Sequence, residues 1–291
     1  MMSADQKPSA YFLDDLDPRL TPARDDLAAS WLKGKVSATK YVDPKRTSVA
    51  APVASIYRSP DLNQAIETQL IFGEAVDLYE QKGEWSWIQS VRDGYVGYIP
   101  TAQLSMNDHA PTHRISNIGT FVYPGATYKM TPQSSLSYGS QVTVISEKDG
   151  MSELATGGFV PSVHLAPIDF HSDEIVAEAF RFLGVPYLWG GRSHLGIDCS
   201  ALVQLVLQAC NIKAPRDSDL QERFLGRPID RDDVQGGDLV FFRGHIGLMV
   251  DDSTLIHAND RSMAVAIDDL DEYIRWRTKN GKTPVKMFKR L

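Results

Sequence analysis

PYLWGGRSHLGIDCSALVQLVLQ (Pro186–Gln208) carries the pattern that decides the fold. A Gly/aromatic loop, running from Gly184 to Ile197, gives way to Ala201, Leu202, Leu205, Val206 and Ala209, whose spacing marks one face of a helix. Cys199 opens that helix. Free N–H groups and the dipole at a helix N-terminus stabilise a thiolate, the nucleophilic form of cysteine. Asp198 is placed to cap the helix, yet its charge opposes a neighbouring thiolate, so a general base has to offset it. The competing reading of Cys199 is a small buried core residue. Cys210, inside the apolar face region, fits that competing reading better.

Outward from this stretch the pattern is α/β. Upstream, Ser172 reads as an N-cap, followed by Asp173 and Glu174 at the positive end of a helix dipole. Ile175, Val176, Ala179, Phe182 and Leu183 then have helical spacing, and Gly184 stops the run. Downstream, GDLVFF (Gly237–Phe242), HIGLMVDD (His245–Asp252) and STLIHAND (Ser253–Asp260) read as successive strands. MAVAIDD (Met263–Asp269) and TPVKMFKRL (Thr283–Leu291) add two more. His245 starts one strand and His257 ends the next, so an antiparallel pair joined by a DDS turn brings them side by side. One imidazole takes the thiol proton and the second fixes its tautomer. A zinc site built from the cysteine and both histidines is the sharper rival. The wide spacing and the lack of a carboxylate-linked motif weigh against metal. No metal and no organic cofactor is expected.

The first half of the chain has a different texture. Between Val53 and Leu104 come short β runs: VASIY (Val53–Tyr57), QLIFGEAVDLYE (Gln69–Glu80), EWSWIQSV (Glu84–Val91) and RDGYVGYIP (Arg92–Pro100), the last with an Asp-Gly hairpin signal. These fit a small β-barrel. FGEAVDLYEQKGEW (Phe72–Trp85) resembles YGSQVTVISEKDGM (Tyr138–Met151), and GYVGYIPTAQL (Gly94–Leu104) resembles GGFVPSVHL (Gly157–Leu165), so one supersecondary unit occurs twice. Ahead of both lies an arm, punctuated by Pro18 and Pro22, with a short helix predicted from Arg24 to Leu32. The expected organisation is an arm (1–48), two barrels (49–108 and 109–167) and an α+β domain (168–291).

Composition narrows the function classes. The chain has 291 residues, a formal net charge of -7 and two cysteines. The acidic balance argues against a nucleic-acid or anionic-membrane surface. Two cysteines build no disulfide framework. No apolar run is long enough to span a membrane, and the acidic start has no secretory pattern. A cytoplasmic location is expected. The oligomeric state stays open, with a monomer the simpler expectation.

Three motifs together carry a family resemblance. Pro186–Gln208 resembles the nucleophile segment of the NlpC-type cysteine peptidases, a papain-like family of bacterial cell-wall peptidases. GDLVFFRGHIGLMV (Gly237–Val250) resembles the base segment, and LIHAND (Leu255–Asp260) the third-residue segment. The resemblance implies a papain-like α+β fold with Cys199 as nucleophile, His245 as base and His257 orienting His245. The repeat resembles bacterial SH3 domains. Two such domains before an NlpC-type domain is similar to the γ-D-glutamyl-L-diamino acid endopeptidases, which cut murein peptides after L-Ala-γ-D-Glu and need a free amino end.

On that resemblance Tyr187, twelve residues before Cys199, helps polarise the scissile carbonyl, and Asp198 and Ser200 flank the nucleophile in the substrate site. APRDSDLQ (Ala214–Gln221) supplies Asp217 and Ser218 to read the substrate, ETQLIFGE supplies Glu67, and GYVGY supplies Tyr95. Glu67 and Asp217 together hold an ammonium group. Trp189 walls the groove, while Arg192 and Arg216 are set aside as ordinary exposed arginines. The implied partner is a murein-derived peptide. The rival readings are an exported hydrolase of intact peptidoglycan and a non-enzymatic SH3-type module that binds cell wall or a partner.

Overall fold

The computed structural model describes residues 16–105 and 110–291. The catalytic-half core forms around Cys199–Ala209, the expected helix. It packs on a six-stranded antiparallel sheet in the order Arg227–Ile229, Val285–Arg290, Leu239–Phe242, His245–Met249, Thr254–Asn259, Ala264–Asp269. Leu239–Phe242 and His245–Met249 are buried throughout, as strands covered on both faces must be. Alternation sorts their side chains. Leu239, Phe241, Ile246 and Leu248 face the Cys199 helix. Val240, Phe242 and Met249 face the opposite layer, built on Leu270 and Tyr273.

That second layer is the helix Leu270–Lys279, capped by Asp269 Oδ1 accepting from the Glu272 N–H at 2.8 Å. Its sequence, LDEYIRWRTK, is mostly charged and gives little apolar periodicity, so it was not expected. Neither were the helix Ser218–Phe224 and the edge strand Arg227–Ile229. The upstream helix is shorter than its apolar spacing predicts, Ile175–Phe180, and Leu183 is half exposed. Ser172 does not cap it. Its Oγ accepts from the Glu174 N–H in the preceding turn, while Glu174 itself occupies the N-cap.

The first barrel orders Val96–Pro100, Trp85–Ser90, Ala75–Lys82, Lys45–Val49 and Leu104–Ser105 in one sheet, with the hairpin Val53–Ile56/Thr68–Ile71 against it. A second strand set repeats this plan. His113–Ile115 pairs with Leu165–Pro167, Gly119–Val122 with Ser134–Ser137, and Val144–Lys148, Met151–Leu154 and Phe159–Pro161 form the meander. The bridge Tyr57–Tyr98 recurs as Tyr123–Phe159, and each unit closes through a one-turn 3-10 helix. The weak sequence repeat is therefore a repeat of strand order and pairing.

The arm departs from its expected helix. Leu27–Ala29 is a strand paired in parallel with Lys40–Val42, and only Ser30–Leu32 makes a helical turn, of the 3-10 kind. Packing overrides the local spacing. Leu27, Ala29 and Leu32 bury themselves on Tyr79 and Trp87, the outward residues of the barrel sheet, and the Arg24 guanidinium lies 4.3 Å over Trp87. Strand Lys45–Val49 straddles the expected 48/49 boundary. The start of the arm, residues 1–15, and the expected junction at 108/109 lie outside the described residues. No helix among the described residues is long and apolar enough to cross a membrane.

Candidate active site

Cys199 is the first residue of its helix and is buried. Burial, with Asp198 adding to it, pushes the thiol up to about 12; the Ile246 backbone N–H and the Arg216 guanidinium oppose that rise. Asp198 caps the helix as expected, its Oδ1 accepting from the Ala201 N–H at 2.8 Å. The rest of its environment corrects the sequence reading. Oδ1 and Oδ2 also accept from Arg216 at 2.9 and 2.7 Å, Oδ2 accepts from the Gly190 N–H at 3.0 Å, and Ser200 Oγ donates to Oδ1 at 3.2 Å. Asp198 and Ser200 are thus tied together through Arg216. Arg216 and Arg192, set aside as exposed, are each only 1% exposed. Arg216 neutralises the charge beside the thiol.

The two histidines meet as the strand pattern required. His245 Nε2 and His257 Nδ1 lie 2.8 Å apart. This is a mutual hydrogen bond, not the geometry of two imidazoles on one zinc ion. Burial, then the His257, Arg277 and Lys282 charges, hold His245 well below the ordinary imidazole range. It is a neutral base at pH 7. Burial also lowers His257, outweighing the opposing hydrogen bond to Asp268. That bond, His257 Nε2 to Asp268 Oδ2 at 2.9 Å, extends the row by a residue the sequence reading missed. Tyr273 stands edge-on to His257, ring centroids 4.4 Å apart, and fixes its orientation.

A second constellation joins the first barrel to the catalytic half. Tyr95 has its ring in the barrel core. Its hydroxyl lies 3.4 Å from Glu67 Oε2 and 3.3 Å from Asp217 Oδ2. Asp217 occupies the N-cap of the Ser218 helix but makes no side-chain cap bond. Its carboxylate is turned to Tyr95 and to Arg19 Nη1, 2.7 Å away. Arg58 pairs with Glu67 at 3.1 Å. Burial raises Asp217 above the ordinary carboxylate range, against the Arg216 and Arg19 charges. Glu67, Tyr95 and Asp217, drawn from distant stretches of the sequence, thus converge on one spot.

Of the remaining expected residues, Tyr187 and Ser218 adjoin these groups. Tyr187 is half-buried, and burial, then the charges of Cys199 and Asp198, push its phenol upward. Trp189 is exposed. Ser218 begins the helix beside Asp217. Cys210 is corrected: it is the C-cap of the Cys199 helix and only partly buried. Arg19 had no signal in the sequence, because the two partners that tie it to the catalytic half, Asp217 and Asp219, lie 198 and 200 positions away. Asp268 could have been reached by counting register, since His257 opposes Ala266 and Asp268 lies two residues on, on the same face.

Comparison with known proteins agrees with this geometry. Residues 184–280 match the family described as NlpC/P60, and residues 56–104 match the bacterial dipeptidyl-peptidase Sh3 domain. The chain therefore carries an NlpC/P60-family cysteine peptidase domain with an adjacent SH3-like domain, which places it among hydrolases of the cell-wall class. Among particular proteins, it is 29% identical over 73% of its length to the gamma-D-glutamyl-L-lysine dipeptidyl-peptidase of Bacillus subtilis, covering 78% of that protein. It is 28% identical to dipeptidyl-peptidase 6 of Lysinibacillus sphaericus, over 77% of this chain and 91% of the relative. An NlpC/P60 family protein from Bacillus cereus shares the fold, with a TM-score of 0.72 at 22% identity, covering 84% of this chain and 99% of that one.

Proposed function

We propose that the protein is a cysteine peptidase that hydrolyses the γ-D-Glu–diamino acid bond of short murein peptides carrying a free N-terminal L-Ala, and releases L-Ala-γ-D-Glu. The observation that carries this reading is the convergence of Glu67, Tyr95 and Asp217 across the barrel–catalytic junction. Four carboxylates gather there, Asp17, Glu67, Asp217 and Asp219, against the guanidiniums of Arg19 and Arg58. The excess negative charge suits an ammonium group, and a tyrosine oxygen adds a third acceptor. Ser218 adjoins the same end, and Trp189 walls the groove. The gamma-D-glutamyl-L-lysine dipeptidyl-peptidase relative supports the same bond class.

The chemistry follows from the residues. His245 takes the Cys199 proton as sulfur attacks the γ-carbonyl carbon. The backbone N–H of Cys199, backed by its helix N-terminus, stabilises the oxyanion, and Tyr187 polarises the carbonyl. The C–N bond breaks, the amine leaves with the proton held by His245, and a thioester remains. Water, deprotonated by His245, breaks the C–S bond and frees the dipeptide. A site for short, free-amino peptides suits a cytoplasmic enzyme receiving fragments already released from the wall. Hydrolysis of L-Ala-γ-D-Glu-L-Lys by the wild type and its loss in Cys199→Ala test the mechanism; unchanged turnover in the variant contradicts it.

A further inference from the structure

We propose that Asp268 is a positioning residue that dictates the tautomer of both histidines, and so makes Nδ1 of His245 the basic nitrogen. The inference rests on Cys199 and His245 being the reacting pair. It follows from the order of hydrogen-bonded atoms. A carboxylate only accepts, and each neutral imidazole carries one N–H. Asp268 Oδ2 sits 2.9 Å from His257 Nε2, so that nitrogen holds the hydrogen. His257 Nδ1 is then a bare acceptor, and its 2.8 Å neighbour, His245 Nε2, must be the donor. The only lone pair left on His245 is at Nδ1.

The frame around Asp268 preserves this direction. Arg261 Nη1 donates to the other carboxylate oxygen, Oδ1, at 3.3 Å. The hydrogen bond from His257, with the Arg261 charge beside it, holds the Asp268 carboxyl below its ordinary value, so it stays an acceptor at neutral pH. Strand pairing fixes the reach, with His257 opposite Ala266 and Asp268 opposite Leu255. When His245 accepts the thiol proton, its Nε2–H bond to His257 becomes charge-assisted, and Asp268 supports that charge from one ring further away.

Asp268→Asn is the incisive substitution. Arg261 can only donate, so the amide oxygen turns to Arg261 and the amide N–H₂ to His257 Nε2. That reverses both tautomers and places a hydrogen on His245 Nδ1. Asp268→Ala removes the support without imposing the wrong hydrogen. With L-Ala-γ-D-Glu-L-Lys as substrate, kcat falls on the order of 10⁴-fold in Asp268→Asn, as expected for a wrong tautomer. It falls about tenfold in Asp268→Ala, the scale of a lost supporting hydrogen bond. KM stays within about twofold, since neither variant touches the amino-end site. Equal losses in the two variants, or an Asp268→Asn enzyme with near wild-type kcat, overturn the proposal. Nitrogen-15 NMR of histidine-labelled full-length wild type is independent of any variant's folding and of the substrate. It should show Nε2–H and bare Nδ1 on both histidines; Nδ1–H on His257 refutes the assignment. Failure of the peptidase reading itself would show separately, as undiminished hydrolysis by Cys199→Ala.

Discussion

Arg19 directs all five of its N–H donors to three carboxylates, Asp17, Asp217 and Asp219. A guanidinium so fully engaged has no donor left for a peptide, but it fixes where Asp217 points. Arg19→Met should raise KM for the free-amino tripeptide about tenfold, the scale of one charge-assisted bond made imprecise, with a smaller change in kcat; an unchanged KM counts against this role. The same carboxylate gives a pH signature. Asp217 must be ionised to hold an ammonium, and burial raises it. His245, held well below its usual value, stays neutral through mildly acidic pH. The acid limb of kcat/KM should therefore report Asp217, setting in above the ordinary carboxylate value of about 3.9. In Arg19→Met it should move to higher pH, because a cation favouring the charged form is gone. At this scale the place of Cys199 at its helix start and the pairing of His245 with His257 were legible, because each belongs to a residue type with chemistry that few others can supply. Arg19, Arg216 and Asp268 were not, because only tertiary contact distinguishes them from surface charges.

The element that unites the two halves is the loop before the Cys199 helix. Gly190 has φ +71, and a Cβ there would meet the Ile66 carbonyl oxygen at 2.5 Å. Two residues further on, Arg192 pairs with buried Glu74 of the first barrel at 2.8 Å, and Arg92 joins the same carboxylate at 2.6 Å. Burial alone would raise Glu74, but the Arg192 and Arg92 charges outweigh it and hold it below its usual value. Its contribution to stability is thus present at neutral pH and lost as pH falls through that lowered value. Glu74→Gln leaves two arginines facing a neutral amide in the interior. It should cost about 3–5 kcal/mol in urea unfolding, the range for breaking a buried pair; a loss below about 1 kcal/mol would mean the clasp is not structural. Gly190→Ala should lower kcat/KM as well as stability, since the loop cannot keep both its left-handed turn and its approach to the barrel. Gly190 was visible in the sequence, but its reason was not, because the opposing backbone, at Ile66, comes from another unit. The same holds for the arm. Its apolar spacing suggested a helix, yet Trp87 and Tyr79 offered a surface on which a strand buries more.

At the scale of the whole molecule, the two strand units share a plan of pairing but touch different parts of the chain. The second meets the catalytic half through Ser137 and His194, 2.8 Å apart, and through Tyr138 donating to Glu178 at 2.7 Å. It meets the first barrel where the Gln141 N–H donates to the Phe72 carbonyl at 2.9 Å. These contacts brace the assembly away from the Glu67–Tyr95–Asp217 cluster. The first barrel instead supplies two members of that cluster, and the arm stitches it in place: the Val96 N–H donates to the Arg19 carbonyl, while Leu20 packs on Leu220. The order of units could be read from the repeat and the α/β switch, but their mutual placement could not, since it depends on buried charges drawn from distant positions. That placement carries Glu67 and Tyr95 of the first barrel to Asp217 of the catalytic half. The direct test is to compare L-Ala-γ-D-Glu-L-Lys with its N-acetylated form under identical conditions. The free amine should be cleaved with a kcat/KM at least about a hundredfold higher, the size expected when a charge-assisted site is left unpaired. Equal turnover of the two peptides would contradict recognition of the amino end, and with it the role assigned to the first barrel.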